Sequence, residues 1–208
     1  RGVVRVCSSG GFAIEFLPRA MALFREQYPG MQFHLRVEAP AAVTQAVLGG
    51  EADVGLTYSR AAARDIEVWH RQVSPVVAIM RPDHALARHA SITLAQMHPH
   101  AIALPEDANT ARQLFDIACS HRRLVFEPAL VSGQFETLVH FVLHGGGLSL
   151  GGEVTMRERV RRGELHAVPI RERGMNARAI ELQTLAGRTL SKGVRAFVEH
   201  LRELLPPG

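Results

Sequence analysis

The sequence has little cysteine, almost no lysine and no long apolar run. The shortage of cysteine and the lack of a long apolar run each exclude a class of protein. Its two cysteines among 208 residues, Cys7 and Cys119, are too few for a disulfide framework. Each cysteine lies in an apolar run, which predicts buried, reduced thiols in a cytoplasmic protein. No apolar stretch approaches the roughly 20 residues of a membrane-spanning helix, and residues 1–4 contain no signal-peptide core. These features favour a soluble globular protein.

Positive charge is present but is not arranged for nucleic acid. The formal net charge is +4, and Lys192 is the only lysine, so nearly all of the excess is arginine. The densest arginine run, between 157 and 178, is interspersed with glutamates and contains no aromatic residue. This pattern predicts a solvated helix face, and it argues against binding of single-stranded nucleic acid through stacking.

What the sequence does contain is an alternation of strand and helix periods, which is typical of the α/β class. Residues 3–7 and 52–57 are predicted as strands, and apolar residues recur at helical spacing over 13–24. A last amphipathic helix is predicted from Ser191, its cap, to a stop at Pro206 and Pro207. We expect two Rossmann-like lobes of about 100 residues each, joined by crossing strands. Lobe I comprises residues 1–72 plus 177–208, and lobe II comprises residues 73–176.

Two turns that open predicted helices carry the clearest functional signal. Ser8-Ser9-Gly10-Gly11 follows the first strand, and the turn 105–110, which ends in Asn109-Thr110, follows another predicted strand. Both turns would place backbone N–H groups and hydroxyl or amide side chains at the positive end of a helix dipole, where small anions are favoured. Each turn is also compatible with an ordinary helix cap. A cleft between the lobes is the arrangement expected to bring the two turns together.

A series of short motifs runs along the whole chain in a specific order. They occupy residues 16–18, 24–30, 50–56, 82–87, 132–136, 145–150 and 190–197. Together they resemble the effector-binding, regulatory domain of the LysR-type transcriptional regulators, whose fold is that of the type 2 periplasmic binding proteins. Two positions depart from the family pattern, since Pro40 and Gly133 stand where a hydroxyl and an amide side chain are common. These departures indicate an effector that is less polar, or differently held, than a simple dicarboxylate.

The resemblance implies a sensor that binds a small organic, anionic effector between its lobes and thereby controls transcription, without a further cofactor. It implies DNA contact only through a helix-turn-helix domain on the N-terminal side, and the start at Arg1 predicts that such a segment precedes this chain. It also implies a homodimer or homotetramer that assembles through the helices from about Ala13 and about Gln134. The residues implied to contact the effector are Ser8, Ser9, Gly10, Thr57, Tyr58, Asn109, Thr110, Gln134 and Phe135.

Two other functions are compatible with parts of this pattern. A solute-binding protein of a transport system shares the fold, and it would carry an export signal upstream. An enzyme would need an activated nucleophile or an acid/base pair, and no convincing carboxylate couple is present, so no catalysis is predicted. His140 and His144 are four residues apart on a predicted helix but lack a third ligand, so no metal site is predicted.

Overall fold

The structure is a computed structural model that describes residues 2–206. The chain divides into two compact units: unit 1 comprises Arg1–Val73 and Ala179–Gly208, and unit 2 comprises Ser74–Arg178. The chain therefore passes between the units twice, after Val73 and after Arg178. The sequence predicted these divisions after residues 72 and 176, and the assignment of those bounds to lobe I and lobe II stays a prediction. Pro207, which was predicted with Pro206 to end the last helix, lies outside the described residues.

Unit 1 is built on a mixed five-stranded sheet. Its strands are β1 (Gly2–Ser8), β2 (Met31–Val37), β3 (Val54–Ser59), β4 (Ile66–Val73) and β10 (Ala179–Leu185). Its helices are α1 (Gly10–Ile14), α2 (Phe16–Gln27), α3 (Pro40–Leu48) and α8 (Lys192–Leu204). The strand order is β2-β1-β3-β10-β4, with β1 parallel to β2 and β3, and with β10 antiparallel to β3 and β4. Two β-α-β crossovers and a returning antiparallel strand thus make up the unit.

The helical segment predicted over residues 13–24 is in fact two helices, α1 and α2, separated at Glu15. Phe12 is buried in α1, and Leu17, Ala20 and Phe24 are buried in α2. In one continuous helix, residues 12 and 17 would point about 140° apart, since each residue turns the helix by about 100°. The break lets both side chains reach the core, and this requirement is invisible in a one-dimensional pattern.

Strand β4 was not predicted, because a bulge disturbs its alternation. In the ladder with β10, Leu182 faces His70 while Gln183 faces Val68, so the pairing skips Trp69. Such a bulge adds one residue to a strand and breaks the period of two that identifies strands in a sequence. The indole N–H of Trp69 donates to Thr184 Oγ1 at 2.8 Å, which fixes the bulged residue against its neighbour strand.

Asp53, within the motif at residues 50–56, ties β3 to β1. Its carboxylate accepts hydrogen bonds from the backbone N–H of Arg5 at 2.9 Å and from the Arg5 guanidinium at 2.9 Å. The backbone N–H of Asp53 in turn donates to the Arg5 carbonyl at 2.8 Å. Burial raises the pKa of Asp53, but the hydrogen bonds from Arg5 outweigh this effect and leave the pKa below its ordinary value. The motif therefore has a structural role here.

Unit 2 contains the remaining strands and helices. Its strands are β5 (Val76–Met80), β6 (Ala103–Pro105), β7 (Leu130–Ser132), β8 (Ser149–Gly152) and β9 (His166–Pro169). Its helices are α4 (Leu94–Met97), α5 (Thr110–Arg122), α6 (Phe135–Leu143) and α7 (Glu153–Arg161), with a 3-10 turn at Ala85–Arg88. Strand β5 pairs antiparallel with β8 and β9, and β6 pairs parallel with β7. A single bridge between Ile102 and Leu148 connects these two groups of strands.

The sequence predicted that the arginine run forms a solvated helix face, but in the structure this face is not uniformly solvated. Arg159 on α7 is only 9% exposed, and its guanidinium donates to the carboxylate of Glu136 on α6. Glu136 also lies 3.1 Å from Nε2 of His140. A buried arginine is stable only with a partner of opposite charge, and the facing helix supplies that partner. The charge pattern within one helix could not reveal a partner on another.

The two cysteines are free and buried, as predicted. Burial raises the pKa of both thiols, in the case of Cys119 to about 12, where Asp116 and Glu172 add to the effect. Because the thiolate is the reactive form, we expect neither thiol of the native protein to react rapidly with a disulfide reagent at pH 8. Unfolding in guanidinium should expose both thiols to the reagent. Titration of thiols before and after unfolding tests this, and rapid native reaction of either thiol would contradict it.

Candidate ligand-binding site

The hydroxyls of Ser9 and Thr57 meet in unit 1 at the carboxyl ends of two parallel strands. Ser9 follows β1 and Thr57 lies in β3, and their oxygens Oγ and Oγ1 are 2.7 Å apart. Both residues are buried, and the Ser9 backbone N–H donates to the Leu56 carbonyl at 3.1 Å. The chain leaves β1 for β2 on one side and then crosses to β3 on the other. This reversal makes the point between β1 and β3 a topological switch point, where α/β sheets bind ligands.

Three other predicted residues are next to this pair in the sequence without joining it. Ser8 is buried at the end of β1, and its hydroxyl has no hydrogen-bond partner among residues 2–206. Because side chains alternate along a strand and Cys7 packs against α3, the Ser8 side chain faces away from α3. The Tyr58 ring packs at 5.0 Å from that of Phe12 in α1. Gly10 is partly buried and begins α1. Their contact with a ligand stays a prediction.

In unit 2, the turn before α5 does cap that helix. The Asn109 side-chain oxygen accepts hydrogen bonds from the backbone N–H groups of Ala111 at 2.8 Å and Arg112 at 3.3 Å. Thr110 is buried, and no residue that the structure describes makes a hydrogen bond with its hydroxyl. The amide oxygen of Asn109 is thus used within the protein, whereas the hydroxyl of Thr110 is left available. An unsatisfied buried hydroxyl costs about 1–3 kcal/mol, which makes Thr110 the better candidate of the two.

The segment before α6 lies beside this turn, because β6 and β7 are parallel neighbours with Pro105 paired to Ser132. Gln134 is exposed, and its backbone N–H donates to Ser132 Oγ at 3.0 Å. Phe135 is half-buried and packs against the core cluster that contains Val77 and Val139. A Cβ atom at Gly133 would lie 3.0 Å from the Glu106 carboxylate, so the exposed Glu106 side chain would have to shift slightly to admit the asparagine that the family pattern suggested.

Ser149 lies in a Gly147-x-Ser149-x-Gly151 pattern, which the search of the sequence for an activated nucleophile wrongly took to be absent. In hydrolases this pattern marks a nucleophile on an exposed strand-to-helix elbow. Here Ser149 is completely buried within β8, and its hydroxyl donates to the Ala103 carbonyl at 2.8 Å. The hydroxyl is therefore committed to holding β8 against β6, and it is out of reach of a substrate.

Histidines come together at one place that the sequence did not predict. The rings of His84 and His100, which are far apart in sequence, lie 4.7 Å from each other. Burial, together with the nearby His100, lowers the pKa of His84, and its Nδ1 accepts a hydrogen bond from the Leu86 backbone N–H at 3.0 Å. Across residues 2–206, no group of three or more histidine, cysteine, aspartate or glutamate side chains is placed to hold a metal ion.

The family of the chain is decided by a match that runs along almost its whole length. Residues 1–206 match the family model described as the LysR substrate binding domain. The chain belongs to this family. Its mixed α/β fold is the one seen in LysR effector-binding domains, which is of the type 2 periplasmic-binding-protein kind.

Similar proteins are described as a transcriptional regulator and as a regulatory domain. An uncharacterised HTH-type transcriptional regulator of Escherichia coli K12, YeiE, is 28% identical over 171 residues, which cover 81% of this chain and 57% of that protein. The chain thus spans little more than half of that relative's length. The regulatory domain of Synechocystis PCC6803 CcmR in complex with 2-PG superposes with a TM-score of 0.80 at 22% identity, covering 98% and 97% of the two chains.

A second solved structure shows the same fold with another ligand. The effector-binding domain of QuiR in complex with shikimate has a TM-score of 0.75 at 16% identity, and covers 98% of this chain and 97% of its own. No helix among residues 2–206 is long and apolar enough to cross a membrane. The comparisons establish the LysR family and its fold, in agreement with the resemblance derived from the motifs.

Proposed function

We propose that this chain is the effector-sensing domain of a LysR-type transcriptional regulator, and that it binds a small organic anion at the Ser9–Thr57 hydroxyl pair. The observation that carries the proposal is the position of this pair, at the switch point of the unit 1 sheet. Two hydroxyls there can donate to one anion if their mutual hydrogen bond opens. Ligand binding would then replace two internal hydrogen bonds, the one between the hydroxyls at 2.7 Å and the one that Thr57 Oγ1 donates to the Tyr58 carbonyl at 3.3 Å, with two charge-assisted ones.

The named ligands of the two similar structures support an acidic effector. QuiR is described with shikimate, a carboxylate, and CcmR with 2-PG, identified as 2-phosphoglycolate. Both effectors are small and bear an acidic group. In unit 2, the available hydroxyl of Thr110 and the neighbouring Asn109, Gln134 and Phe135 are proposed as further contacts. Ser8, Gly10 and Tyr58 complete the proposed set in unit 1.

The remaining properties follow the family. We propose that effector binding changes the relative populations of two conformations and so controls transcription. DNA contact is assigned to a helix-turn-helix domain on the N-terminal side, and the assembled regulator is proposed to be a cytoplasmic homodimer or homotetramer. The chain is proposed to need no cofactor and to have no catalytic activity.

A thermal-shift screen of small carboxylates and phosphate esters tests the site. An acid present at 100 times its dissociation constant stabilises the native state by about 2.7 kcal/mol. We expect Ser9→Ala and Thr57→Val to lose at least tenfold in affinity for such an acid. Ser120→Ala, on the exposed side of α5, is the matched control and should bind like the wild type. Hits that stabilise wild type and Ser9→Ala equally would overturn this site.

A further inference from the structure

A buried charged residue, Glu181, lies in the unit 1 sheet beside the proposed site. Its side chain is only 1% exposed, and one carboxylate oxygen accepts a hydrogen bond from the Arg71 guanidinium. The other oxygen accepts from Nε2 of Gln183 at 3.0 Å. The Gln183 side-chain oxygen in turn accepts from the Thr44 hydroxyl on α3, also at 3.0 Å. A connected polar network therefore runs from α3 to the middle of the sheet.

This network is on the same face of the sheet as Thr57. A side chain at Gly55 would contact Val47 of α3 and the Gln183 amide, so position 55 faces α3. Because residues two apart in a strand share a face, Thr57 and Glu181 face α3 as well. The two residues are direct partners in the β3–β10 ladder. Opposed side chains of this kind have Cβ atoms about 4.5–5.5 Å apart.

Arg71 continues the same row, because it is the direct ladder partner of Glu181 on β4. The row across the sheet is thus Ser9, Thr57, Glu181 and Arg71. Its charges are not equivalent, since the Arg71 side chain is 47% exposed and Glu181 is almost fully buried. Water screens an exposed charge much more than a buried one. The carboxylate, which is also nearer to Thr57, therefore dominates the electrostatic potential at the hydroxyl pair.

We propose that Glu181, with its charge partly offset by Arg71, makes the Ser9–Thr57 site selective for singly charged over doubly charged acids. The inference rests on the proposed function. The two hydroxyls can compensate one negative charge by hydrogen bonding, whereas the second charge of a diacid bound there has no hydroxyl of the pair to compensate it and is repelled by the buried carboxylate of Glu181. Glu181 acts here as a positioning and selectivity residue, since its own oxygens are bonded within the protein.

The experiment compares a singly charged acid with a doubly charged acid in two pairs of similar structure, one aromatic and one aliphatic. Dissociation constants for benzoate and phthalate, and for butyrate and succinate, are measured by titration calorimetry at pH 7.5, where all carboxyl groups are ionised. The readout is the ratio of diacid to monoacid dissociation constants. We expect Glu181→Gln, which keeps the size and a hydrogen-bonding oxygen, to lower this ratio about tenfold. Arg71→Gln should raise the ratio, because it removes the charge that offsets Glu181.

A second ion pair in the same unit provides matched controls. Arg195 and Glu199 lie 3.3 Å apart on the exposed side of α8, and Glu199→Gln and Arg195→Gln should leave the ratio unchanged. If Glu181→Gln does not fold, the ratio in Arg71→Gln alone tests the proposal. The Arg71 side chain is half exposed, so its replacement should leave the fold intact.

The outcomes separate this inference from the proposed function. Binding that requires Ser9, with a ratio unchanged in Glu181→Gln and Arg71→Gln, overturns the selectivity proposal and leaves the proposed function intact. Failure of all four acids to bind the wild type contradicts both. A lowered ratio in Glu199→Gln as well would mean that overall charge, rather than position in the row, sets the selectivity, and this also overturns the proposal.

Discussion

Replacement of Gly147 by alanine is expected to lower the free energy of unfolding by more than about 3 kcal/mol, because backbone strain and a steric clash add at this position. Gly147 has φ +135°, a conformation that residues with a side chain rarely adopt. A Cβ atom would lie 2.2 Å from the carbonyl oxygen of Ala101. That oxygen accepts a hydrogen bond from the Leu148 backbone N–H at 2.8 Å, so the close approach cannot be relieved without breaking the contact that docks β8 beside β6.

Gly163→Ala provides the comparison that isolates the clash. Gly163 also has positive φ, +74°, but a Cβ atom there would meet no atom of the described part of the chain within 4 Å. Its replacement should cost about 1 kcal/mol, the price of the backbone conformation alone. Urea unfolding followed by far-UV circular dichroism measures both variants. Equal losses in the two variants would show that the contact with Ala101 does not constrain residue 147.

Phe197→Ala is expected to destabilise unit 1 by about 3–5 kcal/mol, the usual cost of removing a large buried aromatic side chain. Phe197 is fully buried on α8, and its ring lies 4.6 Å from that of Phe33 and 5.3 Å from that of Phe24. These three rings join α8, β2 and α2. The cavity left by truncation would therefore separate three elements at once, and neighbouring backbone can close it only in part.

Leu204→Ala, on the same helix, is the matched control for Phe197. Leu204 is 42% exposed, so its truncation should cost less than about 1 kcal/mol. Trp69, the single tryptophan, lies in unit 1 and reports its unfolding by fluorescence in urea. A loss in Phe197→Ala no larger than that in Leu204→Ala would contradict the central role of the aromatic cluster.

The residues at the proposed unit 1 site were predictable from the sequence to different extents. Ser9 and Thr57 are 48 residues apart, and their meeting required the parallel pairing of β1 with β3, which a strand-helix alternation only suggests. Glu181 was missed because its alternation with Ile180 and Leu182 predicts an exposed face. That face is covered by α3, and only the packed structure shows that Glu181 is buried and paired with Arg71.

Apart from β4 and the division of the first helix, the order of strands and helices was determined by the sequence itself, as were the LysR resemblance and the caps at Asn109 and Ser191. Periodicity and capping depend on residues close together in the chain. Tertiary structure decided the break at Glu15, the bulge at Trp69 and the buried partners of Arg159 and Glu181. Each of these depends on which distant element covers a given side chain. Burial and charge pairing are properties of that neighbour, and no local pattern records them.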